Sequence, residues 1–253
     1  MVISQKTWNK YIDKLAQVNN EVTDKVRKYI DVFGIPDTHQ EREDMIDYAY
    51  SISTVYGEAA AALSCEMFDA VALASGKFVV AEPAEVATMS EVGETVNGVL
   101  KRSQDPEVLS SAVGSLAKRA GCDTTLKNAE RYGAQFAWIP AGVTCAYCLM
   151  IASNGWRYMS KSAMKNGHAE HIHANCDCTY AIRFDEDTKY RGYNPDKLYS
   201  EWKSAKGSTE EDKLNYMRRK YYEENRETIL KQKSDWYEKS KELNSSRAEE
   251  TRT

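Results

Sequence analysis

The sequence predicts an α+β protein that is mostly α. It divides into a long N-terminal helical hairpin and further helices, a small zinc-stapled α+β module, and a charged C-terminal helix. Three observations predict this. Apolar residues recur at three- and four-residue steps from Trp8 to Val71, the spacing of one face of a helix. At Ala134 the pattern breaks into short apolar pieces punctuated by glycine, cysteine and histidine. Beyond Gly207 nearly every residue is polar or charged. The expected organisation is residues 1–76 as the hairpin, 77–133 as a helical region, 134–205 as the Cys/His module, and 206–253 as a charged helix with a disordered tail.

Bulk composition narrows the class before any motif is read. The 253 residues suffice for one large domain or two small ones with a sizeable core. With 28% charged residues and a mean hydropathy of -0.63, long solvated helices are expected beside a packed centre. The net charge of -4 argues against the whole chain being an electrostatic nucleic-acid binder, so any basic surface must be local. The stretch after the first methionine, Val2 to Lys14, has no apolar run of the signal-peptide kind. The most apolar run, Ala59 to Ala74, is interrupted by Glu66 and Asp69, too short and too charged for a bilayer. The expectation is a soluble protein made in a cytoplasm, without membrane contact. There disulfides are disfavoured, and closely spaced cysteines read as metal ligands.

The first helix carries Trp8, Ile12, Leu15, Val22, Val26, Tyr29 and Phe33 as its stripe, and Gly34-Ile35-Pro36 stops it. Thr38 opens the second, with Glu41 at the capping-box spacing. Met45, Ile46, Ala49, Ile52, Tyr56, Leu63, Met67 and Val71 carry its stripe to Ser75-Gly76. The short loop makes the pair an antiparallel hairpin. Phe78-Val79-Val80 is an extended link ending near Pro83, and a third helix is expected from Ala84 to Ser103. Asp105-Pro106 opens a fourth, because aspartate caps and proline suits the first helical position. Gly121 is expected to end it, and Asp123-Thr124-Thr125 to cap a fifth, short helix reaching Tyr132. Strands are expected at Gln135 to Ile139, Trp156 to Tyr158 and Thr179 to Phe184. Asn194-Pro195-Asp196 starts a helix through Trp202. The charged helix beyond Gly207 has only Met217, Tyr221, Ile229, Trp236 and Leu243 as sparse apolar positions, and frays after Leu243.

The chemistry concentrates between Thr144 and Phe184, which hold four of the six cysteines and three of the four histidines. Cys145-Ala-Tyr-Cys148 is a knuckle spacing whose tight turn lets two thiolates reach one zinc ion about 2.3 Å away. His173-Ala-Asn-Cys176-Asp-Cys178 then offers an imidazole and two more thiolates. A tetrahedral site takes four ligands, so Cys145, Cys148 and His173 are expected with one of Cys176 and Cys178, and periodicity does not choose between those two. A catalytic zinc keeps a position open for water, whereas this set is over-supplied with thiolates and describes a closed, structural ion. Cys65 and Cys122 read as buried and unconnected. His168 and His171 would have to replace a thiolate.

Two rival readings use the same stretch. One is a zinc-dependent hydrolase or nuclease acting on nucleic acid, with Glu170 as base and His171 or His168 assisting. The other is a zinc-finger-like nucleic-acid module with Lys161, Lys165 and Arg157 as its patch. His168-Ala-Glu170 with a C-x2-C knuckle matches the zinc deaminase residues, but here their order is reversed and Thr144, not proline, precedes Cys145. An H-E-x-x-H helix, a P-loop, a Rossmann glycine fingerprint and a G-x-S-x-G elbow are all absent from the sequence.

Several stretches together resemble the minor capsid proteins of tailed bacteriophages, the MuF-like or head-morphogenesis family. They are Asp123-Thr124-Thr125-Leu126-Lys127-Asn128-Ala129; Trp138-Ile139-Pro140; Thr144-Cys145 through Ala152-Ser153; His173-Ala-Asn-Cys176-Asp-Cys178 with Ile182 and Phe184; and Gly192-Tyr193-Asn194-Pro195-Asp196. The resemblance runs from Glu82 to Trp202. Cys145, Cys148, His173, Cys176 and Cys178 match the family's Cys/His pattern. Asn154 stands where relatives often have arginine, Arg157 follows Trp156 instead, and three histidines replace one. The resemblance implies a structural, non-enzymatic head protein of the virion, assembled in the host cytoplasm. Its implied partners are the portal protein and the major capsid or scaffold protein, with packaged DNA as a further contact.

Overall fold

The computed structural model describes residues 3–141, 145–159, 178–228, 230–231 and 234. Its order is α1 (Gln5–Phe33), α2 (His39–Ala74), α3 (Met89–Leu100), α4 (Pro106–Tyr132), β1 (Gln135–Ile139), α5 (Ala146–Ala152), β2 (Arg157–Tyr158), β3 (Thr179–Arg183), α6 (Pro195–Ser204) and α7 (Glu210–Glu224). The fold is therefore α+β and mostly α, as predicted.

In α1, Trp8, Tyr11, Leu15, Asn19, Val22, Val26 and Ile30 are buried, an unbroken run of three- and four-residue steps. Three members of the predicted stripe fall off it: Ile12 and Tyr29 are only partly buried, and Phe33 is 68% exposed at the helix end. Gly34 ends the helix at φ 85, with its N–H donating to the Ile30 carbonyl. Thr38 and Glu41 make the predicted capping box on α2. The hairpin is antiparallel: Tyr11 near the start of α1 meets Ser64 late in α2 (3.0 Å), and the Tyr48 hydroxyl donates to the Lys25 carbonyl.

Two predicted boundaries are wrong, both for a packing reason. The third helix begins at Met89 rather than Ala84, because Thr88 and Glu91 form a capping box there. Residues 81–84 are instead an extended link tied by side chains. Asn128 accepts from the Glu82 N–H (3.0 Å) and donates to its carbonyl (2.7 Å), Thr124 accepts from the Ala84 N–H, and Asp69 accepts from the Ala81 N–H. Gly121 does not end a helix, and Asp123-Thr124-Thr125 do not cap one: α4 runs through them to Tyr132. Gly121 is a contact residue, for a Cβ there would stand 3.1 Å from the Ala60 carbonyl oxygen and 2.9 Å from the Ser64 hydroxyl. It lets α4 cross close to α2. Asp105 caps α4, with Pro106 at its first position, as predicted.

The three strands form an antiparallel sheet in the order β2-β1-β3, with Phe136 opposite Ile182 and Trp138 opposite Tyr180. Phe136 to Ile139 are all buried, so β1 is covered on both faces. One apolar cluster joins the sheet to the N-terminal half of α1, the C-terminal half of α2 and the end of α4. A second fills the space between α3 and the other halves of α1, α2 and α4. Trp8 packs edge-on against Tyr190, 4.8 Å between centroids, which fastens the start of α1 to the segment after β3. Asn194 caps α6 and Pro195 follows it, as predicted; α7 buries none of its residues, as a solvated helix should. Helix is also described at 226–228, 230–231 and 234, while Ile229, Trp236 and Leu243 lie outside the described residues. Among those described, no helix is long and apolar enough to cross a membrane.

Candidate metal centre

β1 delivers the chain to Pro140, and α5 begins at Ala146 with Cys145 as its cap residue. The Cys145 sulfur accepts the backbone N–H of Cys148 at 3.5 Å. This is the local bond a C-x2-C turn makes when it readies a thiolate, since an N–H dipole offsets sulfur charge. Cys148 points inward from the first turn of α5 and is 1% exposed, and Cys145 packs beside it at the edge of the same cluster. Cys178 lies just before β3, also 1% exposed, and its sulfur accepts the Ala141 N–H at 3.4 Å. Since Ala141 follows β1 and Cys178 precedes its partner strand, the sheet brings the two Cys segments to one end.

The aromatic groups around these sulfurs respond to them. Burial, and then Cys148 and Cys145, pushes the Tyr147 hydroxyl above its ordinary range. Tyr180 is raised further, by burial first and then by Cys122, Asp123, Tyr147 and Cys148. Trp138 packs edge-on against the Tyr180 ring at 4.7 Å and shields this end of the sheet from water.

His173 and Cys176 lie outside the described residues, as do His168, Glu170, His171, Lys161 and Lys165. Among the described residues no three histidine, cysteine or acidic side chains are grouped closely enough to hold a metal. The donors that are described suit zinc by chemistry: soft sulfurs of Cys145 and Cys148 on a tight turn and of Cys178 before β3, with Cys145 and Cys178 each accepting a backbone N–H bond. Completing a tetrahedral set from this chain calls on the segment that carries His173 and Cys176.

Cys65 and Cys122 stand apart from that set. Cys65 is only partly buried on α2. Cys122 is buried inside α4, its sulfur 3.9 Å from the Thr179 hydroxyl.

Sequence reading missed a second feature. Lys161 and Lys165, the expected neighbours of Arg157, lie outside the described residues; Arg157 itself is at β2. It lines a cleft of about 670 Å³ with Trp156, Arg183, Lys189, Tyr193 and Tyr199, drawn from β2 and the residue before it, the end of β3, the segment that follows β3, and α6. The only available signal was the alternation of β3, which could not say that Arg183 meets Trp156 from across the sheet.

A family model described as VG15 protein matches residues 2–205, well over half of the chain. The chain belongs to this family, which is a viral, phage protein family. No curated protein and no solved structure matches it.

Proposed function

We propose that this phage-family chain is a structural minor capsid protein of a tailed phage, acting in head assembly near the portal and stapled by one zinc ion. Membership of a phage protein family over residues 2–205 carries the reading. The order of the motifs around the cysteines, from Asp123 to Asp196, supports the finer assignment by its resemblance to head-morphogenesis proteins. Long helices joined to a compact sheet also suit a protein that bridges others. Its partners on this reading are the portal protein and the major capsid or scaffold protein, and it resides in the virion.

Zinc would be held by Cys145, Cys148 and His173 with either Cys176 or Cys178. Bound there, it supplies a cross-link between the α5 turn and the segment preceding β3. The chain's part is to present deprotonated sulfurs and to neutralise them, through the Cys148 and Ala141 N–H groups. The role is structural rather than enzymatic, because thiolates fill the positions that a reacting water would need.

Two measurements test the two halves. Protein purified without chelator should contain one equivalent of zinc, and Cys148→Ser should lose it; less than half an equivalent with oxidised thiols would end the zinc proposal. A phage carrying a nonsense mutation in this gene should give heads that are absent or defective at the portal vertex. Normal infectious heads lacking the protein would exclude the assembly role.

A further inference from the structure

The cleft bordered by β2, β3 and α6 concentrates the kind of charge that the chain as a whole lacks. Arg157, Arg183 and Lys189 line it against a single carboxylate, Asp196, in a chain whose net charge is -4. The two arginines are held in place, and Lys189 is exposed beside them. Arg183 lies over the Trp156 ring at 4.8 Å, and its Nε donates to the Gln135 side chain at 2.7 Å. Arg157 donates Nε to the Asn154 carbonyl and one terminal nitrogen to the Asn154 side chain. In both, one edge of the guanidinium is spent on the protein and further N–H groups remain to bind an anion.

The walls are rigid and aromatic. The Tyr193 hydroxyl donates to the Ala152 carbonyl and the Tyr190 hydroxyl to the Ile182 carbonyl, each at 2.8 Å. Trp156 packs against both rings, 5.7 Å from Tyr190 and 5.8 Å from Tyr193. Tyr199 on the first turns of α6 is 54% exposed, leaving ring surface open at the rim. Fixed cations beside an available aromatic face are what a phosphate joined to a planar base requires. A cleft of this volume falls in the range of small-ligand sites. An acidic peptide would satisfy the cations but has no use for the ring.

We infer that this cleft binds a nucleotide unit, with Arg157, Arg183 and Lys189 on its phosphate and, in a strand, on the phosphates beside it, and Tyr199 stacked on the base. The inference comes from the cleft alone and stands whether or not the chain is a head protein. The unit could belong to a single strand or be a free nucleotide, and the test separates the two.

Full-length protein is titrated into labelled oligothymidylate at low salt and followed by fluorescence anisotropy. Three phosphate contacts predict a log–log salt slope of about -2. Arg157→Gln with Lys189→Gln should weaken binding roughly tenfold or more and bring the slope to about -0.7. Both side chains are exposed, so the melting temperature should not move. Tyr199→Ala should weaken binding without changing the slope. Displacement by thymidine monophosphate assigns a free nucleotide; binding that it does not displace assigns a strand, and either result supports the site. The inference is overturned if neither probe binds, if binding ignores the paired substitution in a folded variant, or if polyglutamate displaces the strand as well as unlabelled strand does.

Discussion

At Gly121 a single hydrogen atom decides how closely two helices approach. Glycine is about 1 kcal/mol worse than alanine inside a helix, so Gly121→Ala would stabilise an isolated α4. In the protein the new methyl would stand 3.1 Å from the Ala60 carbonyl oxygen, on a backbone that cannot step aside alone. Crowding of this kind costs about 1–3 kcal/mol, and Gly121→Ala is expected to lower stability on balance by about 1 kcal/mol. Gly98 in α3 is its control, because a Cβ there meets nothing within 4 Å. Gly98→Ala should raise stability by up to about 1 kcal/mol, and urea unfolding of the two variants measures the contrast. At the next residue of α4 burial pushes the Cys122 thiol up to about 12 from 9.0, and in α1 it pushes the Tyr11 hydroxyl up to about 12 from 10.0. Both groups are held neutral in the folded protein. Their contribution is therefore complete below pH 9 and is lost as pH rises from 9 towards 12. Urea midpoints should decline across that window. In Cys122→Ala the decline between pH 9 and 10 should be shallower, because Tyr11, Tyr180 and Tyr190, all raised by burial, ionise in the unfolded chain only near 10.0.

At the scale of elements, the sequence was most legible where a backbone end advertises itself. Thr38 with Glu41, Asp105 with Pro106, and Asn194 with Pro195 each cap a helix as their chemistry requires. β1 occupies the predicted residues because Pro140 bounds it on one side and the Gly133 turn on the other. Reading failed where polar residues serve a distant element. Thr124 and Asn128 look like the start of a short helix, yet their side chains reach across to the 81–84 link, a partner some forty residues earlier. The candidate metal centre divides in the same way. The Cys145–Cys148 turn is legible from spacing, whereas the placement of Cys178 beside Ala141 depends on sheet register. Asn128 meets both backbone groups of Glu82, as a paired strand would. Asn128→Ala removes both partners, and because Glu82 is exposed, water can take them over, so each lost bond costs about 0.5–1.5 kcal/mol. The variant should lose about 1–3 kcal/mol. Amide exchange at Glu82 and Ala84 should accelerate more than exchange in β1; equal acceleration would show that the loss is not local to the link.

Across the whole molecule, the sheet and the helices share apolar cover. The cluster that contains Cys148, Cys178 and Tyr180 also contains Trp8, Tyr11 and Leu15 from α1 and Ala129 from α4. A short Cys/His module would struggle to build such a core alone; here β1 and β3 lean on helices far away in sequence. Trp8 is the clearest joint. It is 6% exposed, lies edge-on to Tyr190, and sits near the Ile3 N–H that donates to the Lys189 carbonyl. Trp8→Ala removes a large buried ring, which costs about 3–5 kcal/mol. In a chain of this size that should lower the melting temperature by roughly 10 °C. The shape of the transition says more than its midpoint. Trp138 and Trp156 report on the sheet side by fluorescence, and ellipticity reports on the long helices. If the common core couples the two, both signals should shift together and remain one transition in Trp8→Ala. A variant whose tryptophan signal melts well before its helices would mean that the sheet gains little from α1, and that its stability comes instead from the cysteine end.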